Sequence, residues 1–292
     1  MLKFQDAMRN KCKIKLGIQG PSGSGKTYSS LLIAYGLTND WSKIAVIDTE
    51  NGSANLYADL GPYKVLTLKA PYSPERYIEC IKAAASEGFE CLIIDSLSHE
   101  WSGPGGILEI HSNIPGNSFA AWAKVTPRHN AFMQELLQCD LHVIGTMRSK
   151  TDYVMSDKNG KTVPEKVGLK ATQRDDAEFE FTLVFEMNHL QQAQVSKDRT
   201  GLFIHSHELK LSASTGELIK NWCNQRHTKQ ATVEQSATDE FLERINACIN
   251  IEALIELYRN HTENQISYRD SFVARKHQLE KRNNYTSNGK HI

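Results

Sequence analysis

This sequence predicts an α/β fold in which a mostly parallel sheet is flanked by helices, and three observations predict it. Strand-like and helix-like segments alternate from residue 13 to about residue 147. A glycine-rich turn, Gly20-Pro21-Ser22-Gly23-Ser24-Gly25-Lys26-Thr27, sits between the first strand and the first helix. A later apolar run, Cys91-Leu92-Ile93-Ile94, ends in Asp95. In open parallel sheets, ligands bind at the C-terminal ends of the strands, where both features fall.

Residues 14–19 form the first short apolar strand, and 28–37 the helix after the turn. Residues 43–49 and 64–69 give the second and third strands. The stretch 74–86 opens on Pro74 and Glu75 and carries Tyr77, Ile78, Ile81 and Ala85 at helical spacing. Residues 90–96 are a buried strand, and 119–138 a long helix that Pro127 is expected to bend or split. Residues 141–147 make a fifth strand.

Beyond it the pattern changes. Residues 150–168 are expected to make an excursion around the tight-turn sequence Asp157-Lys158-Asn159-Gly160, followed by antiparallel strands at 179–187 and 190–196. Polar residues dominate from about 226 and suggest a linker over 226–237. A small helical appendage follows over 238–292. It has Thr238 as an N-cap and apolar residues at helical spacing (Phe241 and Ile245, Leu254 and Leu257, Phe272 and Leu279). The main domain is thus expected over 1–225.

Composition excludes several classes. The 292 residues carry 34 basic and 34 acidic side chains, so any nucleic-acid site must be a local patch. No apolar run is long enough to span a bilayer, and the N-terminal stretch lacks an apolar secretory core. Cys12, Cys80, Cys91, Cys139, Cys223 and Cys248 form no CxxC pair. The expectation is a reduced, cytoplasmic protein without structural zinc or a membrane partner. His205 and His207 share a face of a possible strand but lack a third ligand.

The glycine-rich turn matches GxxxxGK[ST]. Glycines let the backbone turn its N–H groups inward around phosphates, at the positive end of the next helix. Residues Gly20 to Thr27, with Tyr28 next in line, are therefore the candidate ATP site. Lys26 would reach the β- and γ-phosphates and Thr27 would ligate Mg²⁺. Asp95 can hold the same magnesium through a water. Two glutamates, Glu50 and Glu100, compete to orient the attacking water. Both lie just past strand ends, and spacing does not separate them.

The phosphate loop, the strand ending Asp48-Thr49-Glu50 and the strand ending Asp95-Ser96 together resemble the RecA recombinase core. The resemblance covers about 10–225. With Ile18-Gln19-Gly20-Pro21, Asn51-Gly52, Leu97 and Gln173-Arg174-Asp175, it is similar to phage-encoded RecA-core ATPases, some of them associated with single-strand annealing. It implies that Glu50 activates water, and that a polar residue at the end of the fifth strand senses the γ-phosphate, with Thr146 and Arg148 as candidates. RecA proper has an amide side chain near that point, which this chain lacks.

From Arg148 to Arg174, seven basic residues (Arg148, Lys150, Lys158, Lys161, Lys166, Lys170, Arg174) stand against Asp152, Asp157 and Glu165, a net of +4. Such a segment with Tyr153 suits a single-stranded backbone, and suits a solvated hairpin equally well by composition. In RecA-like proteins the loops after this strand contact DNA, which implies Lys150, Lys158, Lys161 and Lys166 as DNA contacts. Lys170 or Arg174 would act on a neighbouring subunit's nucleotide in a ring or filament.

The leading expectation is a DNA-stimulated ATPase acting on single-stranded DNA in recombination or replication, using ATP and Mg²⁺. Its homo-oligomer places ATP between subunits, and its C-terminal helices are available to a replication or recombination protein. A ring-shaped replicative-helicase-type motor and a nucleotide-gated assembly protein are the alternatives. A small-molecule kinase fits worst, for want of an arginine-rich lid.

Overall fold

Lys15–Gly20 (β1), Ile44–Asp48 (β2) and Cys91–Asp95 (β4) are buried along their whole length, as strands covered by helices on both faces must be. The computed structural model describes residues 12–158, 161–174, 177–204, 206, 208–225, 241–261 and 268–287; for 151–158, 161–169, 270 and 281–287 it describes the backbone. The linker 226–237, Thr238, Asn159-Gly160, Asp175, His205 and His207 lie outside the described residues. The chain divides into two compact units at Gln225/Arg226.

The larger unit is a three-layer α/β structure. Its sheet runs β3-β2-β4-β5-β1-β7-β8, where β3 is Lys64–Thr67, β5 His142–Lys158, β7 Leu183–Met187 and β8 Ala193–Asp198. Pairing is parallel throughout except for β7 with β8. Lys26–Thr38 (α1) and Ala213–Asn224 (α7) cover one face, where Leu16, Ile18, Ile33, Leu37, Ile144 and Ile219 are buried. Pro74–Ser86 (α2) and Ser118–Gln138 (α5) cover the other, over Ile47, Tyr77, Leu92, Phe132 and Val143. Between β4 and α5 lie the short helices Ser98–Ser102 (α3) and Ile107–Ser112 (α4).

Several sequence expectations are corrected. Residues 118–138 remain one α-helix through Pro127 rather than splitting, because Ala121, Val125, Phe132 and Leu136 on both sides of it share one buried face. The excursion expected at 150–168 around Asp157–Gly160 is an antiparallel hairpin, but the fifth strand does not end at 147 before it. β5 runs on from the sheet as a 17-residue strand and pairs antiparallel with Lys161–Ala171 (β6), from Ser149↔Ala171 out to Lys158↔Lys161. Residues 179–187 are not one strand: Ala177–Glu180 form a helical turn (α6), and β7 begins at Leu183 and lies parallel to β1. The second strand of that pair is 193–198 rather than 190–196, since Leu190 sits in the connecting turn. Trp101 lies in α3, and the loop Gly103–Gly106 joins α3 to α4, with Gly105 at φ +75°.

Helix α7 has no counterpart in the sequence reading. It packs on α1 at near-backbone distance: a Cβ at Gly36 would lie 1.9 Å from the Ala213 carbonyl oxygen, and one at Gly216 would lie 2.2 Å from that of Ile33.

The smaller unit holds 241–247 (α8), Ile251–Asn260 (α9) and Arg269–Ser287 (α10), around a core of Phe241, Ile245, Leu254, Phe272 and Leu279. Asn250 caps α9 by accepting from Ala253 N–H at 2.8 Å. Among the described residues no helix is long and apolar enough to cross a membrane.

Candidate functional site

β1 delivers the chain into the glycine-rich turn, and α1 begins at Lys26. Gly23 and Gly25 hold φ +79° and +86°, left-handed values that glycine adopts without strain. Gly20 is required for a different reason: a Cβ there would lie 2.7 Å from Met187 O and 2.8 Å from Ser24 Oγ. The Lys26 ammonium donates to Gly20 O at 2.9 Å and Pro21 O at 2.8 Å, which ties the turn to its own helix. Burial pulls this lysine below its usual pKa, opposed by the nearby Asp95 and Glu50 carboxylates.

The turn forms one wall of a cavity of about 350 Å³. Ser22, Gly23, Gly25, Lys26, Thr27 and Tyr28 come from the turn and α1; Glu50, Ser53 and Tyr57 follow β2; Asp95 ends β4, Arg148 lies on β5, and Gln191 lies between β7 and β8. The strand order explains the convergence. β4, β5 and β1 are neighbours in the sheet, so their C-terminal ends open onto the same cavity.

Asp95 is 2% exposed, and Thr27 Oγ1 donates to its Oδ2 at 2.6 Å. Burial raises its carboxyl pKa, while the hydroxyls of Thr146 and Thr27 pull it back. Glu50 is set by the preceding turn, where Asp48 accepts from the N–H groups of Glu50 (2.7 Å) and Ala54 (3.0 Å). Its Oε1 accepts from Ser96 Oγ at 3.0 Å and Arg148 Nε at 2.7 Å, and Arg148 Nη2 donates to Oε2. Burial would raise the Glu50 carboxyl, but Arg148 and Ser96 outweigh it and leave it below its usual range.

These residues fit a magnesium–nucleotide phosphate. The hydroxyl and carboxylate stand side by side, the turn is carried by glycines at positive φ, and the buried Ser24 Oγ within it has no hydrogen-bond partner among the described residues. A family model described as an AAA domain matches residues 12–223. The chain belongs to the AAA domain family. No curated protein matches it. Membership makes it an AAA-type P-loop ATPase, a protein that binds and hydrolyses ATP.

Within this AAA domain the two glutamates part company. Glu50 lines the cavity, whereas Glu100 is fully buried and paired with His129 Nδ1 at 3.1 Å, with Gln173 Nε2 at 3.5 Å. Thr146 does not line the cavity either. It lies beneath Asp95, donating to Oδ1 at 2.6 Å, where it supports the carboxylate.

Lys170 pairs with Lys150 across the hairpin, and Arg174 Nη1 donates to Asn130 Oδ1 at 3.2 Å; neither lines the cavity. The backbones of Lys158, Lys161 and Lys166 lie along the hairpin, opposite Lys161, Lys158 and Tyr153 respectively; their side chains lie outside the described set. Among the described residues no group of three His, Cys, Asp or Glu side chains can hold a metal ion.

Sequence reasoning missed Ser53, Tyr57 and Gln191. Tyr57 sits 5.5 Å from Tyr28, ring to ring, and forms an aromatic side of the cavity. The Asn51-Gly52 pair, both at positive φ, marks the turn that delivers Ser53 and Tyr57 and was the available signal. Gln191 reaches the cavity from some 165 residues away with no local motif, at φ +61°.

Proposed function

We propose that this AAA-domain protein is a RecA-like ATPase that acts on single-stranded DNA in phage-type recombination or replication. The observation that carries the reading is the course of β5. The strand that brings Arg148 into the nucleotide cavity continues without a break into the hairpin over 148–174, where the positive charge concentrates. A phosphodiester backbone on that hairpin would be bonded through one strand to the ATP site.

In this reading the turn's N–H groups and Lys26 hold the phosphates, and the Tyr28–Tyr57 wall meets the base. Thr27 and Asp95 are the residues that would hold Mg²⁺, which when bound neutralises phosphate charge. Glu50, kept at the cavity edge by Ser96, orients water and accepts its proton. Thr146 and Ser98, buried beneath the site, preserve its geometry. Lys150, Lys158, Lys161 and Lys166 supply charge for the backbone. Lys170 and Arg174 do not line their own cavity, which suits a role towards a neighbouring subunit in a homo-oligomer. The C-terminal helices would serve a recombination or replication partner.

The test measures ATP turnover with and without single-stranded oligonucleotide at low salt. Lys26→Ala should lose nucleotide affinity and turnover together. Glu50→Gln should keep affinity and lose turnover by about 10²–10⁴-fold, the usual worth of a positioned general base. A wild-type protein that hydrolyses ATP yet binds no oligonucleotide would remove the DNA half of the reading.

A further inference from the structure

At the end of the sheet opposite the nucleotide cavity, the start of β1 meets the end of α5. Lys15, the first residue of β1, is 6% exposed, and its ammonium turns onto the loop that leads from α5 into β5. It donates to Cys139 O at 2.9 Å and to Leu141 O at 2.7 Å, and it lies 3.2 Å from Cys139 Sγ. The thiol in turn donates to Leu136 O at 3.2 Å. Both backbones are fixed: Lys15 pairs with Val143 in the sheet, and Cys139 closes α5 with its N–H on Glu135 O at 3.0 Å. Two nucleophiles 124 positions apart are thus held against each other.

The cysteines differ in their surroundings. Cys80, Cys91 and Cys223 are buried, and burial, outweighing the nearby Lys13 and Lys15, pushes the Cys91 thiol up to about 12. Cys12, Cys139 and Cys248 are half-buried and so within reach of a small oxidant. Of these, Cys12 donates to Cys223 O at 3.8 Å and Cys248 to Arg244 O at 3.4 Å, whereas Cys139 carries an amine at its sulfur. Burial also pulls Lys15 below its usual pKa, opposed by Cys139 and Asp140. A lysine so placed gives up its proton more readily than one in water, and the neutral amine is the form that attacks an electrophile. An oxidised thiol is such an electrophile, because the sulfur of a sulfenic acid is open to attack by nitrogen.

We propose that Lys15 and Cys139 are a modification site at which hydrogen peroxide forms a sulfur–nitrogen bond between the two side chains. Peroxide first converts the Cys139 thiol to a sulfenic acid, leaving one oxygen on sulfur and releasing the other as water. The neutral Lys15 amine then attacks that sulfur. The S–N bond forms as the S–O bond breaks, and the hydroxyl leaves with an amine proton as a second water. Sulfur has lost two electrons, and the peroxide has taken them. A small thiol reverses the link: one molecule splits the S–N bond, giving a mixed disulfide and the free amine, and another frees Cys139. The bond staples the first strand, whose far end carries the phosphate-binding turn, to the end of α5. It needs neither ATP nor DNA.

The experiment treats the full-length protein with hydrogen peroxide in slight excess and maps its tryptic peptides by mass spectrometry. Wild type should lose the mass of H2, resist tryptic cleavage after Lys15, and yield one peptide pair joined between Lys15 and Cys139; dithiothreitol should reverse all three. Lys15→Met removes the amine, so Cys139 should stop at the sulfenic acid and take up dimedone. Lys15→Arg keeps the charge but has no neutral amine to offer, and should behave as the methionine variant does; it carries the comparison if that variant does not fold. Closing so long a loop in the unfolded chain should raise the Tm of oxidised wild type by roughly 5 °C or more, a shift that Cys139→Ser lacks. Oxygen gained at Cys139 while trypsin still cuts after Lys15 overturns the proposal. So does a disulfide at Cys139, which has the same mass and is told apart by the peptides it joins. A Cys139 that stays a thiol while Cys12 or Cys248 is oxidised overturns it as well.

Discussion

Replacing Gly36 with alanine sets two physical effects against each other with opposite signs. On helix propensity alone the change should stabilise α1 by about 1 kcal/mol. Packing opposes this. The new methyl carbon would lie 1.9 Å from the Ala213 carbonyl oxygen and 2.9 Å from Glu217 N, both backbone atoms of α7. To reach even 3.0 Å from that oxygen, the two helices must part by about 1.1 Å. Helix α7 buries Ile219 and Cys223 in the same core as Ile33 and Leu37 of α1, so parting the helices loosens both. Overpacking costs about 1–3 kcal/mol, and the upper end applies because the obstacle is a carbonyl and not a pliable side chain. The net effect should be a loss of about 2 kcal/mol, or roughly 4–8 °C in Tm for a unit of this size. Tryptophan fluorescence during thermal unfolding is the assay, since Trp41, Trp101, Trp122 and Trp222 all lie in the larger unit. Gly216→Ala should behave alike, and the double variant should cost less than the sum, because both methyls would force the same gap. An alanine variant as stable as wild type would refute the claim that backbone proximity holds α7 in place.

Two further outcomes concern buried polar groups. His142 accepts Ile14 N–H on Nδ1 at 3.1 Å, and burial, with Lys13 and Lys15 nearby, pushes its pKa down to about 4. The unfolded imidazole takes its proton near pH 6.5, so this contribution to stability is complete above 6.5 and is lost as the pH falls towards 4. The gap of about 2.5 pH units corresponds to a ceiling of about 3 kcal/mol. Urea unfolding at pH 7.5 and 4.5 should show wild type losing about 2–3 kcal/mol more than His142→Asn, which cannot titrate; equal losses contradict the assignment. Thr146→Val deprives the buried Asp95 of its 2.6 Å hydroxyl donor and should cost about 1–3 kcal/mol at neutral pH by the same method. Unchanged stability would mean that the carboxylate does not depend on that bond.

Where local chemistry specifies an element, the sequence made it legible. The strands ending at Gly20, Asp48 and Asp95 are apolar runs closed by turn or acidic residues, and the phosphate turn is spelled out residue by residue. Helix α7 was not legible because what holds it is a pair of glycines 180 positions apart, and glycine inside a helix reads as a weakness until its neighbour is known. Pro127 pointed to a broken helix, since propensity says nothing of the buried face that continues past it. At the site, Glu50 and Glu100 are equivalent in spacing, and only the fold shows that one meets the cavity while the other meets His129. Thr146 looked like a group that touches substrate. It was legible as polar at a strand end, but its depth beneath Asp95 depends on the neighbouring strand.

The hairpin made by β5 and β6 resembles a beam clamped at one end. From Ser149 to Lys158 it spans about 30 Å of paired strand, yet its root is hydrogen-bonded on one flank to the phosphate-loop strand and on the other to the strand bearing Asp95. The pairing shifts register between Asp152 and Tyr153, close to that root, so the hairpin has its irregular point only a few residues from the side chain that lines the nucleotide cavity.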